Sequence, residues 1–503
     1  MVMIVIVMNV EKIYPYQLPA AFARTQLESL SSLDIDSMPY PYRLTGIVCT
    51  IGPASQSVEV LEKMFEAGCS VARMNFSHGS KEYHTQTLEN VRAAASRFWL
   101  PICIALDTKG PEIRTGILKE ACDEKTIFVD YKNIVNVMSV GKSILINDGA
   151  ISLIVRDKGP FYLKCEVEYG GLLSNSRGVN LPGTDVDLPA VSEKDVKDIL
   201  FGVDNGVDVI FASFIRSGDA VRSIRQILGD KGKKIKIFSK IENREGVKRF
   251  NEILEASDGI MIARGDLGVE IPLEKVFLVQ KMITARTLRT GKPIICATQM
   301  LESMIENPRP TRAETLDVAN AVMDSVDCIM LSAETAKGKW PILCIEIQSK
   351  IAKEAECALY HRQLFEELRM LTPKPTDIPR TTAVSAVEAS IECMASAIIV
   401  LTVSGRSAAM ISSYRPRCPI MAVTRDETTS RQLRLFRGVI PIWYKAPKAS
   451  PFEKDIDNRF QYALKLGEQK GLININNFVV VVHGSKPGSS STDSVRVIQH
   501  ARK

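Results

Sequence analysis

Eight short runs rich in Ile, Val, Cys and Met recur along the first two thirds of the chain, at residues 46–51, 70–75, 102–107, 207–213, 235–240, 259–264, 293–298 and 328–332. None alternates apolar with polar residues as a strand with one wet face would, so each is expected to be buried on both faces. Amphipathic stretches of helical spacing separate most of them, at 57–67, 83–98, 191–205, 217–228, 272–290 and 311–324. Eight doubly buried strands alternating with helices predict a (β/α)₈ TIM barrel; an open doubly wound sheet is the competing architecture. Both folds gather their chemistry outside the carboxyl ends of the strands.

One interval breaks the rhythm. Between the third and fourth runs, residues 112–188 hold β-type segments at 126–129, 134–140, 143–146, 151–155 and 161–167, separated by Gly- and Asp-containing turns such as Asn147-Asp148-Gly149. This predicts a small β domain, β-barrel-like, inserted in a βα loop over the catalytic face, placed to act as a lid. Residues 1–44 read as an N-terminal arm. The barrel takes 45–111 and 189–359, with a helix at 341–369 after the last strand. A Pro-rich linker at 372–379 leads into a C-terminal α/β domain within 360–503. Its strands are expected at 397–401, 419–423, 439–443 and 478–482, and its helices at 382–394, 406–413, 428–436 and 456–468, forming an open, mostly parallel sheet.

At 503 residues the chain exceeds a single core. Its formal charge of +6 is scattered, with no basic stripe, which argues against a nucleic-acid partner. Eleven cysteines show no CxxC and no metal-like spacing, and many sit in apolar runs, as reduced core residues of a cytoplasmic enzyme would. The first ten residues, MVMIVIVMNV, are apolar but too short to span a bilayer and lack the flanks of a signal peptide, so no membrane partner is expected.

The strand ends carry charge. The fifth run ends in Ser239-Lys240-Ile241-Glu242 and the sixth in Ala263-Arg264-Gly265-Asp266. A lysine beside two carboxylates suits a divalent metal and a transferring phosphoryl group; surface salt bridges capping two strands are the plainer reading. The second run ends in Arg73-Met74-Asn75-Phe76-Ser77-His78 and the third in Asp107-Thr108, with Arg114 shortly after. Arg73 and Arg114 can grip phosphate oxygens bidentately. Asn75, Ser77, Asp107 and Thr108 form an oxygen set of single formal charge that suits a monovalent cation as readily as a divalent one. Gly265 and Asp266 open a helical start, where free amides favour an anion. Thr298 at the seventh strand end adds a hydroxyl, and Ser332-Ala333-Glu334 closes the ring at the eighth. In the last domain, Thr402-Val403-Ser404-Gly405-Arg406-Ser407 is a strand–loop–helix start that suits a phosphate, or an ordinary N-cap turn.

Together the strings CTIGPAS, ARMNFSHG, DTKGPEIRTG, GVNLPG, DLPAVSEKD, SKIEN, GIMIARGDLGVEIP, ICATQMLESM, PRPTRAE and ETAKG resemble the pyruvate kinase family from about residue 44 onward. The resemblance implies phosphoryl transfer from phosphoenolpyruvate to ADP, in a homotetramer needing Mg²⁺ (or Mn²⁺) and K⁺. It further implies Glu242 and Asp266 as divalent-metal ligands and Asn75, Ser77, Asp107 and Thr108 as K⁺ ligands. Lys240 and Arg73 would face the phosphoryl group, with Arg114 helping to hold it. The Gly265 and Asp266 amides and Thr298 would hold the substrate carboxylate. Thr298, Ser332 and Glu334 would stand near protonation of the enolate, and Asn75, His78, Arg114 and Arg177 near the nucleotide. Thr402, Ser404, Gly405, Arg406 and Ser407, with Arg459 and the 484–491 loop nearby, match the fructose 1,6-bisphosphate pocket of regulated members.

Three departures stand out against the family pattern. The inserted domain omits roughly two dozen residues after Gly116-Ile117-Leu118-Lys119-Glu120, enough for two or three strands. Arg177 stands where a lysine is usual, and Ala333 where the family string has glycine. The shortened lid motivates an alternative, a catalytically impaired paralogue that binds ligands but turns over poorly. A barrel enzyme that handles a metal-bound enolate without ADP is a third reading.

Overall fold

The computed structural model describes residues 17–117, 125–147, 149–184, 186–488 and 491–501. The apolar first ten residues and the junction at 118–124, where the inserted segment departs from the family pattern, lie outside the described residues, as do Asp148 and residues 489–490 of the 484–491 loop.

All eight expected strands form. They are β1 (Gly46–Thr50), β2 (Val71–Asn75), β3 (Cys103–Asp107), β4 (Val209–Ala212), β5 (Lys236–Ile241), β6 (Gly259–Ala263), β7 (Ile294–Ala297) and β8 (Cys328–Leu331). They close in the order β1-β8-β7-β6-β5-β4-β3-β2, every pair parallel, so the barrel prevails over the open sheet. Side chains turned outward, such as Ile47, Ile104, Ile210 and Ile262, pack under the helices, while Val48, Val71, Phe211, Phe238 and Met261 fill the interior. This two-sided burial is why the strand sequences do not alternate. Helices start where the sequence offers hydroxyl or amide caps. Ser57, Ser80, Ser217 and Asn243 each accept an amide of the first turn. Ser192 with Asp195, and Thr311 with Glu314, complete capping boxes.

The interior core includes Leu435, which belongs to the C-terminal part of the chain. It sits beside Cys328, the first residue of β8, whose thiol faces the Leu435 carbonyl at 3.7 Å. The amino-terminal mouth of the barrel is thereby plugged, and the carboxyl rim is the end left for chemistry. The same junction carries a buried bidentate pair, Arg415 to Asp327 at 2.7 Å on each arm. Glu356 accepts the amides of Leu44 and Thr45 at 2.8 and 2.7 Å, tying the arm to the helix that follows the barrel.

The described inserted residues form a five-stranded antiparallel sheet in the order 113–114, 178–180, 143–146, 151–158, 163–169. The expected strand at 134–140 is instead a short helix, Ile134–Val137, because Ile134, Val137 and Met138 pack into the core of the inserted sheet three and four residues apart, a helical interval. In place of the expected strand, the segment at 126–129 carries isolated bridge residues, Val129 opposite Thr115 among them. After β8 the single expected helix is two, Pro341–Cys357 and His361–Leu371. The C-terminal sheet runs 439–443, 420–424, 397–401, 478–484 in parallel and adds an antiparallel edge strand, Thr492–Gln499, that the sequence reading lacked. No helix of the described residues is long and apolar enough to cross a membrane.

Candidate active site

The carboxyl ends of β2, β3, β4 and β5 bring four charged side chains into one buried network. Arg73 ends its side chain on Asp107, Nε to Oδ2 at 2.6 Å, and on Thr50 Oγ1 at 2.7 Å. Lys240 Nζ lies 3.2 Å from Asp107 Oδ1 and 2.9 Å from Glu242 Oε1. Asp107 therefore bridges two cations. Ser213, just past β4, ties the group together: its Oγ accepts from Lys240 Nζ at 2.8 Å and lies 2.6 Å from the Thr108 carbonyl and 3.2 Å from Asp107 Oδ1. All of these groups are buried.

Burial works against ionisation of Asp107, but Arg73 and Lys240 outweigh it and hold the carboxyl below the usual carboxylate range. Burial likewise disfavours the Lys240 ammonium, yet Asp107 and Glu242 hold its pKa well above that of a free lysine. Glu242 is pushed up by burial against the pull of Lys240. Its Oε2 accepts the Phe214 amide at 2.5 Å, whereas its Oε1, though close to Lys240, has no well-aligned donor among the described residues. A buried carboxylate oxygen left in this way is suited to a cation.

A cleft of about 670 Å³ opens beside this network, between the inserted sheet and the barrel rim. His78, Arg114, Arg177 and Asp266 all line it, as do Phe214 and Asn243, the neighbours of the network on β4 and β5. Asp266 lies three residues past the end of β6, whose Ile262 pairs with Ile241 of β5, so Glu242 and Asp266 stand at the same end of adjacent strands. Arg114 is held in the cleft wall by Glu112 at 2.8 and 2.5 Å and by the Ser176 carbonyl at 2.9 Å. Arg177 is anchored through its amide to Thr115 and through its side chain to Ser174. Burial, then the nearby Arg114, lower the His78 pKa and favour its neutral form.

Part of the oxygen set of single charge is drawn together at the ends of β2 and β3. The β2–β3 register pairs Asn75 with Asp107, and Thr108 follows directly. Asn75 Oδ1 accepts the Ser77 amide at 3.0 Å, closing the turn that carries both residues. At β6 and β7, the Gly265 amide donates to Thr298 Oγ1 at 2.9 Å, and Thr298 itself donates to the Ala297 carbonyl at 2.5 Å. Thr298 and Gln299 both adopt positive φ, +69° and +55°, a costly conformation typical of functional loops. Arg264 clamps this loop by its pair with Asp317 and a 2.8 Å bond to the Thr298 carbonyl.

At β8, Glu334 is buried and turned back onto the backbone, accepting the amides of Ser332 at 2.7 Å and Leu301 at 3.2 Å, while burial raises its pKa. Ser332 Oγ is buried without a partner among the described residues. Ala333 begins a short helical turn, Ala333–Ala336, and is not among the positive-φ residues, so its side chain is accommodated.

In the C-terminal region, Thr402 Oγ1 accepts the Gly405 amide at 3.0 Å. Gly405 has φ +80°, and a Cβ there would lie 3.1 Å from Thr429 Cγ2, so the turn needs glycine. Ser404 is exposed, Arg406 pairs with Asp377 at 3.1 Å, and Ser407 meets Thr492 at 2.5 Å. Arg459 is turned to Asp455, which Arg425 also grips.

Sequence reasoning missed Ser213, Glu112 and Thr50. Ser213 closes the fourth apolar run, so its position at a strand end was the available signal. The roles of Glu112 and Thr50 depend on contacts that the chain order does not reveal.

Two family models match the chain. The pyruvate kinase barrel domain matches residues 42–121 and 117–345, and the pyruvate kinase alpha/beta domain matches 380–498. Among the relatives, human pyruvate kinase PKLR is 53% identical over 512 aligned positions, covering 96% of this chain and 89% of its own length. The pyruvate kinase of Candida albicans is 46% identical, covering 95% of this chain and all of its own length. Pyruvate kinase 1 of Trypanosoma brucei brucei is also 46% identical, covering 94% and 99%. The human alignment is longer than this chain, 512 positions against 503 residues, so that relative carries residues absent here.

Proposed function

The chain belongs to the pyruvate kinase family, and on that premise we propose that its barrel moves the phosphoryl group of phosphoenolpyruvate to ADP, yielding pyruvate and ATP in glycolysis. The observation that carries the mechanism is the pair of buried cations, Arg73 and Lys240, held at one strand rim by a shared carboxylate, Asp107. Phosphoryl transfer needs positive charge fixed where negative charge spreads over the moving oxygens, and these two groups are already fixed.

The residues present fit the cations that the family implies. Glu242, with a buried oxygen lacking an aligned donor, and Asp266 across the strand pair would hold Mg²⁺ or Mn²⁺. Asn75, Ser77, Asp107 and Thr108 are all-oxygen donors and would hold K⁺. When bound, these cations supply positive charge to the phosphate and enolate oxygens.

The protein's own groups do the rest. Lys240 and Arg73 face the phosphoryl group, and Arg114 supports it from the cleft wall. The Gly265 and Asp266 amides and the Thr298 hydroxyl take the substrate carboxylate once it displaces the 2.9 Å bond between Gly265 and Thr298. Thr298, Ser332 and Glu334 guide the proton to the enolate carbon. Asn75, His78, Arg114 and Arg177 receive the nucleotide beneath a shortened lid. The domain limits are 45–111 with 189–359, 112–188 and 360–503, and the enzyme works as a cytoplasmic homotetramer in which residues 308–314 lie at a subunit contact. The loop at 402–407 takes fructose 1,6-bisphosphate, with Arg459 and the 484–491 loop nearby.

A lactate dehydrogenase-coupled assay of the full chain tests this reading. Turnover that requires ADP, Mg²⁺ and K⁺ together is expected. Pyruvate formed without ADP would make it an ADP-independent enolate enzyme, and substrate binding without turnover would mark an impaired paralogue.

A further inference from the structure

The turn that follows β2, residues 76–79, carries Ser77 and His78, with Asn75 at its root, and His78 lines the active-site cleft. A turn has no ladder of its own, so its shape depends on what grips its backbone. Among the described residues, three side chains do so. Asn75 Oδ1 accepts the Ser77 amide at 3.0 Å. His84, on the helix that follows, stacks on Phe76 with ring centroids 3.8 Å apart and sets its Nε2 2.8 Å from the His78 carbonyl.

The third grip comes from far along the chain. Lys194 Nζ donates to the Phe76 carbonyl at 2.7 Å and pairs with Asp198 at 2.6 Å. The Asp198 side chain is 6% exposed and that of Lys194 49%. The carboxylate is therefore the fixed partner, and it sets where the ammonium points.

Lys194 is itself tied to the lid hinge. It lies in the first turn of the helix Glu193–Asp204, which returns the chain to the barrel after the inserted domain. The next residue, Asp195, is buried and gathers both limbs of the insertion. It accepts the Ser192 amide and hydroxyl at 3.0 and 2.6 Å on the outgoing limb, and the Gly110 amide at 3.0 Å on the ingoing one. Gly110 lies close against Ser213, since a Cβ there would come within 2.8 Å of the Ser213 Cβ. One helix start thus joins the lid hinge, the Ser213 network and the turn after β2.

We propose that Lys194 is a positioning residue for the nucleotide: by holding the Phe76 carbonyl to this helix, it fixes the turn that presents Asn75 and His78 to ADP. This role rests on the reading of those two residues as nucleotide contacts. The phosphoenolpyruvate side is anchored separately, because Arg73 is held by Asp107 and Thr50. Loss of Lys194 should therefore be felt by ADP and much less by phosphoenolpyruvate.

The test is steady-state kinetics of the full chain, with ADP and phosphoenolpyruvate varied in turn, beside calorimetric titration with ADP alone. Lys194→Met removes the donor, and Asp198→Ala removes the carboxylate that aims it. The first deletes a positive charge and the second a negative one. A general effect of charge on an anionic nucleotide would move the two variants in opposite directions, whereas lost positioning moves both the same way. Lys197→Met, an exposed lysine of the same helix, is the charge control. Lys194→Met is expected to raise the ADP KM and weaken calorimetric ADP binding by about threefold or more. Asp198→Ala should shift both in the same direction, and Lys197→Met should shift neither. If Lys194→Met does not fold, Asp198→Ala decides, and if the parent binds ADP without turnover, the calorimetric constants decide. A smaller change in Lys194→Met, opposite shifts in the two variants, or a phosphoenolpyruvate KM that rises as much as the ADP KM would overturn the proposal. A parent that uses ADP alongside variants that use it equally well removes the role of Lys194 alone. A parent that neither binds nor uses ADP removes the nucleotide reading with it.

Discussion

Ser213→Ala isolates the group that organises the active-site network without itself carrying charge. The substitution removes the 2.8 Å bond to Lys240 Nζ and frees the Thr108 carbonyl, the nearer acceptor of the single hydroxyl proton. Lys240 keeps both carboxylate partners, at 3.2 and 2.9 Å, so its charge survives and only its position is loosened. A hydrogen bond to a charged group is worth about 1.5–3 kcal/mol. Lost wholly from the transition state, that is roughly a 10- to 150-fold fall in kcat/KM. Stability should fall by about 1–3 kcal/mol, because buried polar atoms lose a partner. The coupled assay over a range of phosphoenolpyruvate concentrations reads the first effect, with kcat and KM separated, and denaturant unfolding reads the second. A variant with kcat/KM within twofold of the parent but a lowered unfolding midpoint would refute the positioning role and leave Ser213 a packing residue.

Three further outcomes are expected. Asp327→Ala strands the buried Arg415 and removes the acceptor of the Arg437 and Ile294 amides, so about 3–5 kcal/mol should be lost in denaturant unfolding, and an unchanged midpoint would contradict the interdomain role. Burial, then the charges of Arg437 and Arg417, depress the His361 pKa to about 3, so the folded state binds fewer protons than the unfolded state below about pH 6.5. Stability from this group is present above that pH and is lost as pH falls toward 3, by about 1.4 kcal/mol per unit; His361→Asn should flatten the unfolding midpoint's pH dependence between those limits, and an unaltered slope would place the titration elsewhere. Fructose 1,6-bisphosphate should shift the phosphoenolpyruvate saturation curve to lower concentration in the parent and not in Arg406→Ala; a flat response in both would end the effector reading of the 402–407 loop.

The barrel was legible because its strands are buried on both sides and so appear as unbroken apolar runs. The site was legible because charge appears where the runs stop: Lys240, Glu242 and Asp107 fall at or just beyond strand ends, and Arg73 lies two residues before the end of β2. Short and edge elements were not legible. Thr492–Gln499 is half exposed and polar, and Gly178–Asn180 is three residues long, so neither offers an apolar run to read. Residues 134–140 misled through their β-branched Ile and Val, which favour strands, while Ile134, Val137 and Met138 packed at a helical interval. Ser213 shows another limit. Its partners Asp107 and Lys240 lie 106 and 27 residues away, and only the adjacency of β3, β4 and β5 brings them together.

The most direct test of the central claim is the turnover of Lys240→Met at saturating phosphoenolpyruvate, ADP, Mg²⁺ and K⁺, with circular dichroism confirming the fold. If the buried ammonium stabilises the migrating phosphoryl group, kcat falls by about a thousandfold or more, roughly 4 kcal/mol. A folded variant that keeps kcat within tenfold of the parent would contradict the account.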